Sequence, residues 1–474
     1  MRPPLPRRLS AGIATGALVA LVAPAPPATA SPNLAGHLIA VRLAGAATGH
    51  SPIGDGMAFI LGGSGIPTPG PAYVDYAVAN YLAPHGFTGT AQVVTTPEEL
   101  YPFLGWFGGT FDTSVAQGAE NLVAAIMSQI ATGEVDAANP VVVFGYSQGA
   151  DVQTSAMTLL AEQGVPSDHV HFVLVGDPAN PNGGMLERFN LPDGATPTVP
   201  SLGLTFSGAT PSDLYPTDIY TREYDGFADF PQYPINLLSV LNAVMGIFFE
   251  HTTYLSLTPE QIGAAIALPT STPDTLTNYY MLPANGLPLL DPLLLIPFLG
   301  KPLVDLLQPA LSVLANLGYG DIGQGWSPGY ADVPTPLGFL PDASVLAQVP
   351  QALLDGLGKG ISDAVRDLTD PANYLPAALP WLDEMLGLGM LLPGSEFSAF
   401  SPVPTTPDDL FGTFPAHTGV PPLDVASALL FTLPDLGLRV FSSELADGNV
   451  VDALGIPLAA AIGILPMALI GALI

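Results

Sequence analysis

Val141-Val142-Val143-Phe144-Gly145-Tyr146-Ser147-Gln148-Gly149 joins an apolar run to a Gly-x-Ser-x-Gly pentapeptide. Three β-branched residues and a Phe behind Pro140 predict a short buried strand. Ala150 to Gln163 predicts a helix, which Gly164 and Pro166 stop. Strand, tight turn and helix are the setting in which Gly-x-Ser-x-Gly forms a nucleophile elbow. The spacing has a chemical reason. Ser147 must stand on a sharp turn so that its hydroxyl clears the sheet, and the flanking glycines let neighbouring backbone pass close. The helix begins just behind Ser147, which aims the Gln148 N–H at a developing oxyanion.

The same pentapeptide pattern recurs at Gly325-Trp326-Ser327-Pro328-Gly329, in a chain with 51 glycines. No apolar run precedes this copy, and Pro328 has no N–H to offer an oxyanion. Ser327 therefore reads as a turn residue and Ser147 as the nucleophile.

Upstream of the elbow, Met57 to Leu61 is a short apolar run ending in Gly62-Gly63-Ser64-Gly65. A Gly-rich loop after an early strand is either a plain turn or the source of a second oxyanion donor, here Ser64. Pro71 to Leu82 and Val115 to Ile130 predict helices, the second on three- and four-residue apolar steps. Downstream, His171 to Gly176 reads as a buried strand ending at Asp177, and Thr217 to Tyr224 as another ending at Asp225. Residues 178 to 212, rich in Pro, Gly and Asn, read as an excursion. Ile235 to Phe249 is a long apolar helix, with His251 just past it. Alternating strands and helices predict an α/β fold with a mostly parallel sheet.

In α/β-hydrolases the nucleophile is followed along the chain by an acid and then by a His. Asp225, Asp229 and Asp177 all lie in the acid's window, and Asp225 stands at the end of the expected strand. Among the seven histidines only His251 fits both the order and the loop context.

Five stretches then occur in one order. They are Leu61-Gly62-Gly63-Ser64-Gly65-Ile66-Pro67-Thr68-Pro69, Gly145 to Gly149, Gly176-Asp177-Pro178, Tyr224 to Pro234, and the His251 loop. Together they resemble the PE-PPE domain family of mycobacterial serine hydrolases, which is similar in turn to cutinases. The resemblance runs from about residue 57 to 335 and includes Leu317-Gly318-Tyr319-Gly320. It implies an α/β-hydrolase fold with Ser147 as nucleophile, Asp225 as acid and His251 as base. It also implies Gln148 and the Ser64 loop as oxyanion donors, and no metal or organic cofactor. Members of the family are esterases, and some are acyltransferases that build acylated trehalose lipids, so an acyl-ester or glycolipid substrate is expected. Two departures stand out. Many members carry a PE or PPE segment where a leader is expected in this chain, and cutinases commonly carry disulfides whereas this chain has no Cys.

Composition narrows the partners, and the N-terminus argues for export. Only 11% of residues are charged, and 41 acids stand against 10 bases, which argues against nucleic acid and anionic lipid partners. Arg2, Arg7 and Arg8, the apolar Ala11–Val22 and Ala28-Thr29-Ala30 predict a signal peptide over 1–30, with Ser31 as the mature start. The expected organisation is then a hydrolase domain over 31–335 and a Leu/Pro/Gly-rich region over 336–474. That region ends in an uncharged tail, 453–474, as long as a bilayer core is thick. The tail is either a membrane anchor or a hairpin packed on the protein. Leu287 to Leu311, dense in Leu and Pro, either packs on the core or roofs the site for long acyl chains. The functional expectation is an exported serine esterase or acyltransferase of cell-envelope lipids. The alternative is a non-catalytic lipid-binding or structural envelope protein on the same fold.

Overall fold

The computed structural model describes residues 53–105, 108–369 and 417–473. The expected signal peptide and the Ser31 start lie outside the described residues.

The strands are β1 (Met57–Ile60), β2 (Thr90–Val93), β3 (Val141–Tyr146), β4 (Val170–Val175), β5 (Thr198–Val199), β6 (Leu204–Thr205), β7 (Thr217–Arg222), β8 (Ile266–Ala267) and β9 (Thr277–Leu282). Seven of them form one sheet in the order β2-β1-β3-β4-β7-β9-β8. Every pair is parallel except β8 with β9. β5 and β6 pair separately, inside the 178–212 excursion. The first five positions follow the doubly wound order, in which the order of strand addition reverses between β1 and β3. This is the α/β fold with a mostly parallel sheet that the sequence predicts.

The reason is visible in β3 and β4, which are buried along their whole length. Val141 and Val143 point into one apolar layer, and Val142, Phe144 and Tyr146 into the other. A strand covered on both faces needs a continuous apolar run rather than alternation. Each such side chain contributes about 1.5–3 kcal/mol on burial.

The helices used below are α1 (Pro71–Ala77), α2 (Phe111–Ile130), α3 (Gln148–Glu162), α4 (Leu237–Phe249), α5 (Gly300–Asn316), α6 (Val349–Thr369), α7 (Pro421–Ser427), α8 (Leu433–Ala446) and α9 (Val450–Leu473). α2, α3 and α4 cover one face of the sheet through Leu122, Ile126, Ala156, Met157, Val240 and Val244. α1 and the turn after it cover the other through Ala77, Tyr81 and Leu82. α2 starts four residues earlier than expected because the Thr110 side chain caps it, accepting from the Thr113 N–H at 3.4 Å. The helix expected over 71–82 is α-helical to Ala77 and then widens into a π turn over Val78–Leu82.

Leu287 to Leu311 forms a 3-10 helix, Pro288–Leu295, and most of α5, along which α6 packs. The apolar tail forms α9, a continuous helix through Pro457 and Pro466 although neither proline has an N–H to give. Its small residues lie against the rest of the protein. Cβ atoms built at Gly455 and Gly463 would fall 2.1 Å from Phe339 and 3.1 Å from Phe189 and Pro234, and Ala459 is fully buried. α8 runs beside it as the second arm of a helical hairpin.

Candidate active site

The C-terminal ends of β1 and β3 flank the reversal point, where open α/β sheets form their binding crevice. The segments that follow β1, β3 and β7 supply pieces of the site.

β3 delivers Ser147, whose backbone sits at φ 56°, ψ −121°. A non-glycine residue there is strained, and the surrounding packing must hold it. Its N–H donates to Val175 O at 3.0 Å. α3 begins at the next residue, two earlier than the sequence suggests, because the turn is that tight. The pentapeptide glycines are sterically required. A Cβ at Gly149 would stand 2.2 Å from Gly62 O, and one at Gly145 would stand 2.4 Å from Gly149 O.

α4 ends at Phe249, and a 3-10 turn, His251–Thr253, swings the imidazole over the elbow. His251 Nε2 lies 2.8 Å from Ser147 Oγ, and Nδ1 lies 2.7 Å from Asp225 Oδ2. The three side chains form one hydrogen-bonded line. The Phe227 ring meets the imidazole edge-on at 4.9 Å, and the Tyr146 hydroxyl donates to His251 O at 2.8 Å. Asp225 accepts on its other oxygen from the Phe227 and Ala228 N–H groups, at 2.9 and 3.3 Å.

The two other candidate acids make different contacts. Asp229 accepts from the Tyr224 N–H at 2.9 Å, and burial pushes its carboxyl well above the usual range. Asp177 accepts from the Ala179 N–H at 2.9 Å and the Thr210 hydroxyl at 2.7 Å, and burial raises it to about 6. Neither is hydrogen-bonded to His251. Ser327 is buried and accepts from Arg188 at 2.6 Å. Arg188 is itself wholly buried and also donates to Phe230 O and to Thr335. The second pentapeptide is thus a structural clamp.

β1 delivers the Gly62–Gly65 loop, which passes over the elbow. The Gln148 N–H is in the first turn of α3, where amides have no intrahelical acceptor. The Gln148 side chain, which sequence reasoning left without a role, ties the region together. Its amide donates to Glu99 O at 2.7 Å and to Ser64 Oγ at 3.3 Å, and its carbonyl accepts from Ser114 at 2.7 Å. Glu98 beside it is buried at φ 52°, with its main-chain carbonyl accepting from the Gly65 N–H at 2.8 Å. Burial pushes the Glu98 carboxyl up to about 8. The arrangement offers a hydroxyl in contact with an imidazole, a carboxylate behind the imidazole, and a braced loop in front.

Fold and site define a doubly wound α/β protein with a serine-hydrolase-type site. The chain belongs to the PE-PPE domain family, whose domain matches residues 88–320. It is 40% identical to PE family protein PE3 of Mycobacterium tuberculosis, over 69% of this chain and 68% of that protein. It is 47% identical to Esterase PE16 of the same organism, over 62% of this chain and 54% of that protein. A more distant relative there is Diacyltrehalose acyltransferase Chp2, 30% identical over 37% of this chain and 51% of that protein. The chain thus spans about half the length of Esterase PE16. Among solved structures, a cutinase-like protein from Cryptococcus sp. aligns at 20% identity, covering 37% of this chain and 79% of that one, with a TM-score of 0.25.

Proposed function

We propose that this chain is a serine esterase or acyltransferase acting on acyl esters of cell-envelope lipids through Ser147, His251 and Asp225. The observation that carries the reading is the unbroken line Ser147 Oγ–His251 Nε2 and Nδ1–Asp225 Oδ2, at 2.8 and 2.7 Å. His251 takes the Ser147 proton as Oγ attacks the acyl carbonyl. The Gln148 N–H and the Ser64 loop hold the oxyanion. Asp225 orients the imidazole and stabilises its positive charge. The ester C–O bond breaks, the alcohol leaves with the proton from His251, and the acyl group stays on Ser147. A water or a sugar hydroxyl, deprotonated by the same imidazole, then takes the acyl group and frees Ser147.

The names of the relatives support both outcomes, an esterase and a diacyltrehalose acyltransferase. Exposed Leu295, Phe298 and Leu299, beyond the His251 loop, support a lipid substrate such as an acylated trehalose. We assign residues 31–335 to the hydrolase domain and place the mature protein, beginning at Ser31, at the cell envelope. N-terminal sequencing of the envelope fraction tests that placement.

The decisive experiment is a fluorophosphonate label on purified protein, with the modified residue mapped. Labelling at Ser147 is expected, and an unlabelled protein would favour a lipid-binding role. Incubation with an acylated trehalose, with and without a second trehalose ester, then separates transfer from hydrolysis. If only free fatty acid forms and the acceptor changes nothing, the protein is a plain esterase.

A further inference from the structure

Tyr254 lies three residues past His251, is wholly buried, and has no part in the reaction just described. Its hydroxyl donates to Asp225 Oδ2 at 2.8 Å, on the same oxygen that His251 Nδ1 meets at 2.7 Å. The hydroxyl in turn accepts from the Arg222 N–H at 2.7 Å, at the end of β7. The phenol is therefore fixed by strand backbone on one side and by the acid on the other. Burial first, and the Asp225 charge second, hold the phenol well above its ordinary range, so it remains a donor.

The space for this contact is built into the chain. Gly176 ends β4 at φ 63°, and a Cβ there would stand 2.7 Å from the Tyr254 ring and 3.1 Å from the His251 ring. Tyr146 lies under both rings, with centroids 5.2 Å from His251 and 5.9 Å from Tyr254. The ring of Tyr81 packs elsewhere, and its hydroxyl donates to Tyr254 O at 2.7 Å.

An ionised carboxylate offers about four acceptor positions. Asp225 fills them with two backbone N–H groups on Oδ1, and with His251 and Tyr254 on Oδ2. Three of those donors sit on this chain's backbone or on the base itself. Tyr254 is the one side chain among the four that is not part of the triad.

We propose that Tyr254 is a positioning residue that locks the Asp225 carboxylate and draws charge from Oδ2, setting both the orientation and the basicity of His251. This rests on the triad reading above. Without the hydroxyl, Oδ2 keeps more charge for the imidazolium and is free to tilt away from the Nδ1–H direction. The first effect moves the acid limb of the pH–rate profile to higher pH, and the second lowers kcat.

The test is Tyr254→Phe in the full chain, with Tyr81→Phe as the matched control. Each variant removes one buried hydroxyl and leaves one backbone group without its partner, so folding stability should fall in both, and further in Tyr254→Phe, which also loses the bond to the Asp225 carboxylate. Tyr254→Phe should lower kcat by roughly ten- to a hundredfold, the size expected for losing a hydrogen bond to a charged group. KM should change little, and the acid limb should move up. Tyr81→Phe should keep the wild-type profile. The low-field proton resonance of the His251–Asp225 hydrogen bond should shift in Tyr254→Phe alone, a readout that needs no turnover. Equal profiles and an unmoved resonance in Tyr254→Phe would overturn the proposal. A wild-type protein that fluorophosphonate does not label at Ser147 would instead overturn the triad reading itself.

Discussion

Ser147 and His251 touch at 2.8 Å although 104 residues separate them in the chain. The distance is set by two unrelated local devices. One is the strained turn at the end of β3, and the other is the 3-10 turn that follows α4. Their meeting depends on the register of β3, β4 and β7, so the site reports on the whole sheet.

Ser147→Ala should abolish hydrolysis of short acyl esters, with a loss on the order of 10⁶ in kcat as for other triad nucleophiles. Ser327→Ala should leave turnover near wild type and instead lower the melting temperature. It removes an acceptor from the buried Arg188, a cost of about 1–3 kcal/mol. Steady-state kinetics and thermal unfolding on the two variants check both halves. Full activity in Ser147→Ala would remove the proposed function.

Asp225→Asn should cost about 10⁴ in kcat, because the amide presents the wrong partner to His251 Nδ1–H. Asp229→Asn should cost little. Burial already favours its neutral form, and an amide oxygen can still accept from the Tyr224 N–H. Comparable losses in the two variants would move the acid's role toward Asp229.

Glu98 gives a pH signature. Its carboxyl is raised from an ordinary 4.5 to about 8 in the folded protein by burial. A group raised in this way keeps its proton in the native state while the unfolded chain has lost it. Its contribution is therefore fully favourable below pH 4.5 and is lost as pH rises towards 8. The slope across that window is about 1.4 kcal/mol per pH unit. Glu98→Gln removes the dependence. The Thr96 hydroxyl, now on Glu98 Oε1 at 2.5 Å, keeps an acceptor, and Oε2 has no partner among the described residues to lose. Urea unfolding of both proteins should show the variant gaining on wild type from pH 5 to pH 8. A constant difference across that range would contradict the assignment.

How much of this was legible beforehand follows from where the information lies. Val141 to Gly149 carries its own context, so strand, elbow and helix could be read locally. Asp225 was favoured by its place at a strand end, but Asp229 and Asp177 stayed open. The structure distinguishes their contacts, since Asp225 is hydrogen-bonded to His251 while Asp229 meets the Tyr224 N–H and Asp177 the Thr210 hydroxyl. β2 escaped notice because it is an edge strand with alternating exposure and the polar sequence Thr90-Ala91-Gln92-Val93. β9 escaped because Thr277-Asn278-Tyr279-Tyr280 carries few aliphatic residues. Its fit comes from neighbours, with Tyr280 stacked on Tyr220 at 4.7 Å and Asn278 donating to Asp218 at 2.9 Å. Tyr254 and the Gln148 side chain left no signal beyond their nearness to motif residues, since a hydrogen bond across the fold has no sequence period.

The tail helix α9 has two faces that make separate predictions. Its buried face sets Ile456 and Met467 among small residues. Ala459 is wholly buried, and a side chain at Gly463 would crowd Phe189 and Pro234. Its outer face carries Leu454, Leu458, Leu465 and Leu469, all about half exposed or more, and Val450–Gly471 is long and apolar enough to cross a membrane. A helix held by close contact through small residues does not tolerate bulk there. Ala459→Leu should therefore lower the melting temperature by several degrees, as overpacking costs about 1–3 kcal/mol. Leu454→Ser with Leu458→Ser and Leu469→Ser should leave the melting temperature nearly unchanged, because those side chains gain little from folding. If the outer face meets lipid, the same triple variant should move protein from the envelope fraction to the soluble one, since each buried Leu is worth about 1.5–3 kcal/mol of transfer. Thermal unfolding and fractionation of the two variants read the faces independently. A stable Ala459→Leu protein would mean that α9 is not held on the domain. A triple variant that still partitions with the envelope would mean that the outer face is not what binds it.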